Sequence, residues 1–257
     1  GSSVVLGYSG DAVAGTLWMP WSGLIQVRSA GGGWHRIREL DPDQFPGEAE
    51  PLEPAAGGLA DESTAGVAAP TGLASPPDGA LPGAEGGMER EAGQEQGDEL
   101  PAEDAGGGGP VLEAGPAVQG DGGTTVDVLV VYTPACAAAN GGSSGVEALA
   151  QAAVTRANQA HSTSQTSTAL RLVRCAEVAY TASGSLSTDL GRLTQTADGH
   201  LDSVHALREE TRADLVCLLV SSGGDYAGLA YLWSPAYSVS VAAQYGFSVV
   251  VDDYADA

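Results

Sequence analysis

Lysine is absent from this chain. All ten basic residues are Arg, set against 33 acids, for a formal net charge of −23. Phosphate binding needs clustered Lys and Arg, so the charge excludes nucleic acid as the expected partner. It argues equally against an anionic membrane surface. No apolar run reaches the roughly 18 residues of a membrane-spanning helix. Cysteine is scarce as well. Cys136, Cys175 and Cys217 are an odd number without CxxC spacing, which excludes a zinc knuckle or ribbon. Cys175 and Cys217 sit in apolar runs and read as buried, inert thiols. No signal-peptide pattern is visible at Gly1, which leaves secretion open.

What is present falls into three stretches. Residues 1–46 read as short strands and turns. Ala14-Gly15-Thr16-Leu17-Trp18 leads to Gly23-Leu24-Ile25-Gln26-Val27-Arg28, and Gly31-Gly32-Gly33 precedes Trp34–Leu40, whose alternation predicts a strand with one wet face. Such hairpins bury little core alone and belong to a larger β unit. Residues 47–123 are rich in Pro, Gly, Ala and acids. From Asp41 to Gly123 eighteen acids stand against one base, Arg90. That composition cannot bury enough apolar area to offset its ordering entropy, so it reads as a disordered acidic linker.

Residues 124–257 alternate strand and helix. Thr125–Tyr132 is a β-branched strand stopped by Pro134. Val146 to Ala160 carries apolar residues at helical spacing. Thr168–Tyr180 is a long strand whose alternation slips near Cys175, the mark of a bulge. Asp189–Leu193 is a short helical turn, Leu201 to Arg212 a second helix, and Gly246–Val251 a last strand. The pattern predicts an α/β fold: a twisted, mostly parallel sheet with crossover helices.

One stretch in this region stands out. Ala213–Val220 is a continuous apolar run, the pattern of a strand buried on both faces. Ser221–Asp225 is a glycine turn, and Tyr226–Tyr231 a second strand with Gly228 in its middle. A mid-strand glycine lets another backbone come close. The stretch is either an ordinary turn between two core strands or an inner strand followed by an edge strand that grips an extended peptide by β-augmentation.

Several motifs of this region, in order, resemble the N-terminal half of a reprolysin-like metzincin, a zinc metalloendopeptidase. They are Val126–Pro134, Ala157-Asn158-Gln159-Ala160, Leu170-Arg171-Leu172-Val173, Thr188–Leu193, Asp198-Gly199, Val204–Arg208, Ala213-Asp214-Leu215-Val216 and Gly228-Leu229-Ala230-Tyr231. The resemblance implies a five-stranded, mostly parallel sheet whose antiparallel edge strand matches Tyr226–Tyr231. Substrate, an extended peptide or protein, would lie along it, held by the backbone of Gly228, Leu229 and Ala230. Residues 14–52 are similar to the end of the propeptide that precedes such domains. No Cys occurs before Cys136, so a cysteine latch is not available there.

The family's chemistry rests on HExxHxxGxxH, in which three His hold zinc and the Glu activates zinc-bound water. That motif is absent. The four histidines are His35, His161, His200 and His205, and His205 with Glu209 lacks a second His one turn on. No catalytic residue and no metal ligand is therefore expected in this chain. Zinc is expected in the complete family domain, and secretion by the same resemblance. The chain reads as a propeptide end and a partial catalytic domain cut before its zinc helix. Two alternatives remain open: a non-catalytic peptide-binding module that uses the edge strand, and an unstable truncated product.

Overall fold

The computed structural model describes residues 2–46, 52, 124–224, 226–232 and 238–256. The linker expected over 47–123 lies outside these residues, Leu52 apart. So does the break expected at Trp233-Ser234-Pro235.

The N-terminal residues form an antiparallel meander of four strands: β1 (Ser3–Ser9), β2 (Ala12–Met19), β3 (Gly23–Gly31) and β4 (Trp34–Leu40). Its inner face carries small or polar residues, with Val5, Ala12, Ala14, Thr16, Gln26 and Arg28 all buried. Its outer face leaves Val4, Leu6, Tyr8 and Ile37 exposed. Edge strand β4 is open on both sides along most of its length, more so than its alternation predicts.

The second sheet has five strands in the order β6-β5-β7-β9-β8: β5 (Thr125–Tyr132), β6 (Ala169–Glu177), β7 (Leu215–Val220), β8 (Gly228–Ala230) and β9 (Phe247–Val251). Four strands run parallel and β8 runs antiparallel to β9. This is the mixed α/β sheet the sequence predicts. Helices α3 (Leu186–Thr194) and α4 (Asp202–Thr211) cover one face, where Leu190, Leu193 and Val204 pack on Leu129, Val131, Leu218 and Val249. Helices α1 (Pro134–Ala139) and α2 (Ser143–Thr163) cover the other, over Val128, Val130 and Tyr132. Strand β5 is thus buried on both faces, which is why it reads as an unbroken apolar run.

Helix α2 lies between the two sheets. Gly7 allows this contact: a Cβ there would collide with the Ala148 carbonyl and the Ala152 amide. Ala12 and Ala14 join the same buried cluster.

Local details sharpen these expectations. The bulge expected near Cys175 is present in β6, at Val173, where the register with β5 shifts. Pro134 does not merely stop β5 but opens α1 behind the capping hydroxyl of Thr133, which accepts from the Cys136 amide. A short helix, α5 (Val239–Gln244), which periodicity does not predict, leads into β9. Finally, β7 and β8 are not neighbours, since β9 pairs with both and lies between them. The glycine turn after Val220 looks like a hairpin, but the five-residue parallel ladder of β7 with β9 takes the inner position instead.

Candidate functional site

The three residues singled out by sequence, Gly228, Leu229 and Ala230, are the whole of β8, at the edge of the five-stranded sheet. They pair with Val250, Val249 and Ser248 of β9. The Val251 amide donates to the Ala227 carbonyl at 2.8 Å, which makes that opposed pair a hydrogen-bonded one. Antiparallel ladders alternate. Leu229 therefore turns its backbone N–H and C=O toward β9, while Gly228 and Ala230 turn theirs outward. The glycine has a local reason: a Cβ on Gly228 would stand 3.2 Å from the Val249 carbonyl oxygen.

The next outward group along this edge is the Leu232 amide, and it is taken. It donates to the Leu52 carbonyl at 2.8 Å, and Leu52 pairs with Tyr231 in parallel. Leu52, Leu229 and Tyr231 all pack against the core on the α3 face. Tyr231 also meets Tyr245 edge to face at 4.9 Å. Sequence reading passes over Leu52 because it sits in the acidic, Pro-rich composition. The one signal is a lone branched apolar side chain between Pro51 and Glu53.

A buried acid network braces the loop in front of α3, the helix that packs on β8. Asp189, fully buried, accepts from the Tyr180 hydroxyl at 2.5 Å and the Ser183 amide at 2.8 Å. Its other oxygen has no hydrogen-bond partner. Burial, and then the bond to Asp189, push the Tyr180 phenol above its ordinary range.

The histidines take structural positions. His161 bonds the Thr166 hydroxyl at 2.8 Å, and His205 bonds the Gln195 carbonyl at 3.0 Å while its ring meets Phe247. His200 lies edge to face with Tyr180, and His35 is an exposed residue of β4. Among the described residues no three His, Cys, Asp or Glu gather where a metal ion could be held. Burial pushes the thiols of Cys136, Cys175 and Cys217 up, which makes them poor nucleophiles. What the sheet edge offers a ligand, among the described residues, is the backbone of β8.

A second polar cluster, which sequence reading misses, lies at the end of β9. Asp252 is buried and accepts from the Asn140 side-chain amide at 2.7 Å. Burial raises its carboxyl above the usual range, partly offset by that bond. Asp253 and Asp256, in the same turn, are met by side chains of the N-terminal sheet.

The reprolysin-like model of metallo-peptidase family M12 matches residues 122–255. Over 121 residues the chain is 40% identical to the peptidyl-Asp metalloendopeptidase of Stenotrophomonas maltophilia R551-3, covering 47% of this chain and 28% of that protein. The protein of the same name from strain K279a is 38% identical over the same length and share of each chain. That of Xanthomonas campestris pv. campestris is 39% identical over 106 residues, 41% of this chain and 25% of its own. The chain thus matches about a quarter of the length of these relatives.

Proposed function

This chain belongs to metallo-peptidase family M12, and from that membership we propose that it is a propeptide end (residues 1–46), a linker (47–123) and the first part (124–257) of a secreted zinc endopeptidase's catalytic domain. The observation that carries the reading is the antiparallel edge at β8, where the outward groups of Gly228 and Ala230 have no partner among the described residues. An extended peptide adds there as a further strand, through the outward groups of Gly228 and Ala230, with Leu229 on one face of the sheet and its neighbours on the other. The residues described here bind and orient. The zinc ligands and the general base of the family's hydrolysis come from sequence outside these 257 residues. The relatives are named for peptidyl-Asp cleavage, so a peptide bond beside an aspartate is the first specificity to test.

The test compares the complete gene product with this chain on paired fluorogenic peptides, one containing Asp and one Asn at the same position. Hydrolysis by the complete product that favours Asp, stops with 1,10-phenanthroline and returns with added zinc is expected. This chain alone is expected to bind no zinc and cleave nothing. A complete product without HExxH, activity indifferent to chelator, or stoichiometric zinc on this chain alone overturns the reading.

A further inference from the structure

The contact between the N-terminal sheet and the turn after β9 is built like a recognition site. Arg28 is 1% exposed and Asp256 is 1% exposed. Both terminal guanidinium nitrogens of Arg28 engage the Asp256 carboxylate, Nη1 to Oδ2 at 2.6 Å and Nη2 to Oδ1. Gln26 donates to the same carboxylate at 3.2 Å and to the Asp253 carbonyl at 2.9 Å. Thr16 donates to the Asp256 carbonyl at 3.2 Å, and Arg28 also reaches the Asp252 carbonyl at 3.3 Å. At the half-exposed rim Arg38 holds the Asp253 carboxylate at 2.8 Å while its Nε donates to Gln26 at 2.7 Å. These side chains alternate along β2, β3 and β4 on one face, so the pleat presents them together. All of them read one five-residue turn more than 200 positions away in the chain. On the far side of the same face Gly7 seats α2, and the Ser9 hydroxyl donates to Glu147 at 2.5 Å. Unpaired, the buried Arg28 and Asp256 would each be costly, so the arrangement favours one docked geometry.

We propose that the N-terminal sheet (residues 2–46) is a separable docking partner for the α/β unit, recognising the Asp252–Asp256 turn through Arg28, Gln26 and Thr16. Cutting the chain between residues 59 and 108 then leaves a noncovalent two-piece complex. The partner this surface fits is the chain's own N-terminal sheet, able to bind in trans. This inference does not depend on peptidase activity or on zinc.

The test inserts a site for a specific protease between residues 59 and 108 of the whole chain and cuts it. Dilution and size exclusion then measure the dissociation constant of the pieces. The wild-type pieces are expected to elute together at about 1 μM, a concentration at which a standard-sized, well-matched interface persists. Separation at 10 μM overturns the proposal without recourse to any variant. In the cut chain Asp256→Asn or Arg28→Met is expected to raise Kd at least about thirtyfold, the effect of breaking a buried, hydrogen-bonded charge pair. Arg38→Ala, on the half-exposed pair, is expected to raise it only about 2–5-fold. The uncut variants are expected to keep native circular dichroism, because a tether supplies a local concentration near the millimolar range. Kd unchanged by either buried variant, or moved more by Arg38→Ala than by Asp256→Asn, overturns the assignment of the turn as the recognised element.

Discussion

The clasp at Asp256 follows the C-terminal end of β9, the rim is β8 on the outer side of the same strand, and the two are made of different material. The clasp consists of side chains: Arg28, Gln26 and Thr16 meet one buried carboxylate and its backbone. The rim consists of main chain, three residues whose outward groups are set by pairing with β9. A side-chain contact is lost when one residue changes identity. A backbone contact tolerates changes of identity and is lost when an N–H is removed. The difference suits the two roles given them above, one partner held in one pose against many peptides held alike.

The largest effect that would break this comparison falls on the clasp. Arg28→Met leaves Asp256 buried without its cation and is expected to cost about 3–5 kcal/mol of stability, read from the urea midpoint of the intact chain. A loss below 1 kcal/mol would mean that the carboxylate finds water, and that the clasp is no more specific than the rim. Next comes Tyr180→Phe. It strips one of the two donors from a carboxylate that already has an unpartnered oxygen, and is expected to cost about 1–2 kcal/mol.

A smaller effect of opposite sign is expected from Asp252→Asn. Burial raises the folded pKa of this carboxyl above its unfolded value of about 3.9. Protons are therefore held more tightly by the folded chain. The stabilisation from this group is complete below the unfolded value and is lost as pH rises through the folded one. Asparagine does not titrate and can still accept from Asn140. The variant is expected to gain on the wild type between about pH 3 and pH 7. A difference that stays flat with pH would show that the carboxyl is not desolvated.

The same contrast explains what was legible in the sequence. Strands β5, β7 and β9 announce themselves because burial on two faces demands consecutive apolar residues. The edge character of Gly228-Leu229-Ala230 was readable from a mid-strand glycine, at a position where a Cβ would crowd the Val249 carbonyl. The neighbour of β8 was not, because strand order depends on competition between ladders and not on local pattern. The six-residue helices α1 and α5 lack the length to show a period, although Thr133-Pro134 is a capping signal. The clasp has no local signature at all. Arg28 and Asp256 are joined only by the fold, and the sole trace is Gln26 and Arg28 alternating with Leu24 on a face that turns out to be buried.

The rim supplies the smallest effect on stability and the sharpest test. Proline at Ala230 removes an N–H that points away from β9, at an exposed edge position where proline is tolerated. Unfolding free energy is expected to stay within about 1 kcal/mol. Proline at Leu229 removes an N–H that faces β9 and is expected to cost more, since a ladder bond goes with it. Substrate affinity should divide the pair in the opposite sense. In the complete gene product Ala230→Pro is expected to raise KM about 2–10-fold, the worth of one backbone hydrogen bond, with kcat retained. Replacing Ala230 by serine, which keeps the N–H, is expected to leave KM unchanged. If serine and proline act alike, the edge recognises peptides through the Ala230 side chain, and the distinction between a main-chain rim and a side-chain clasp is lost.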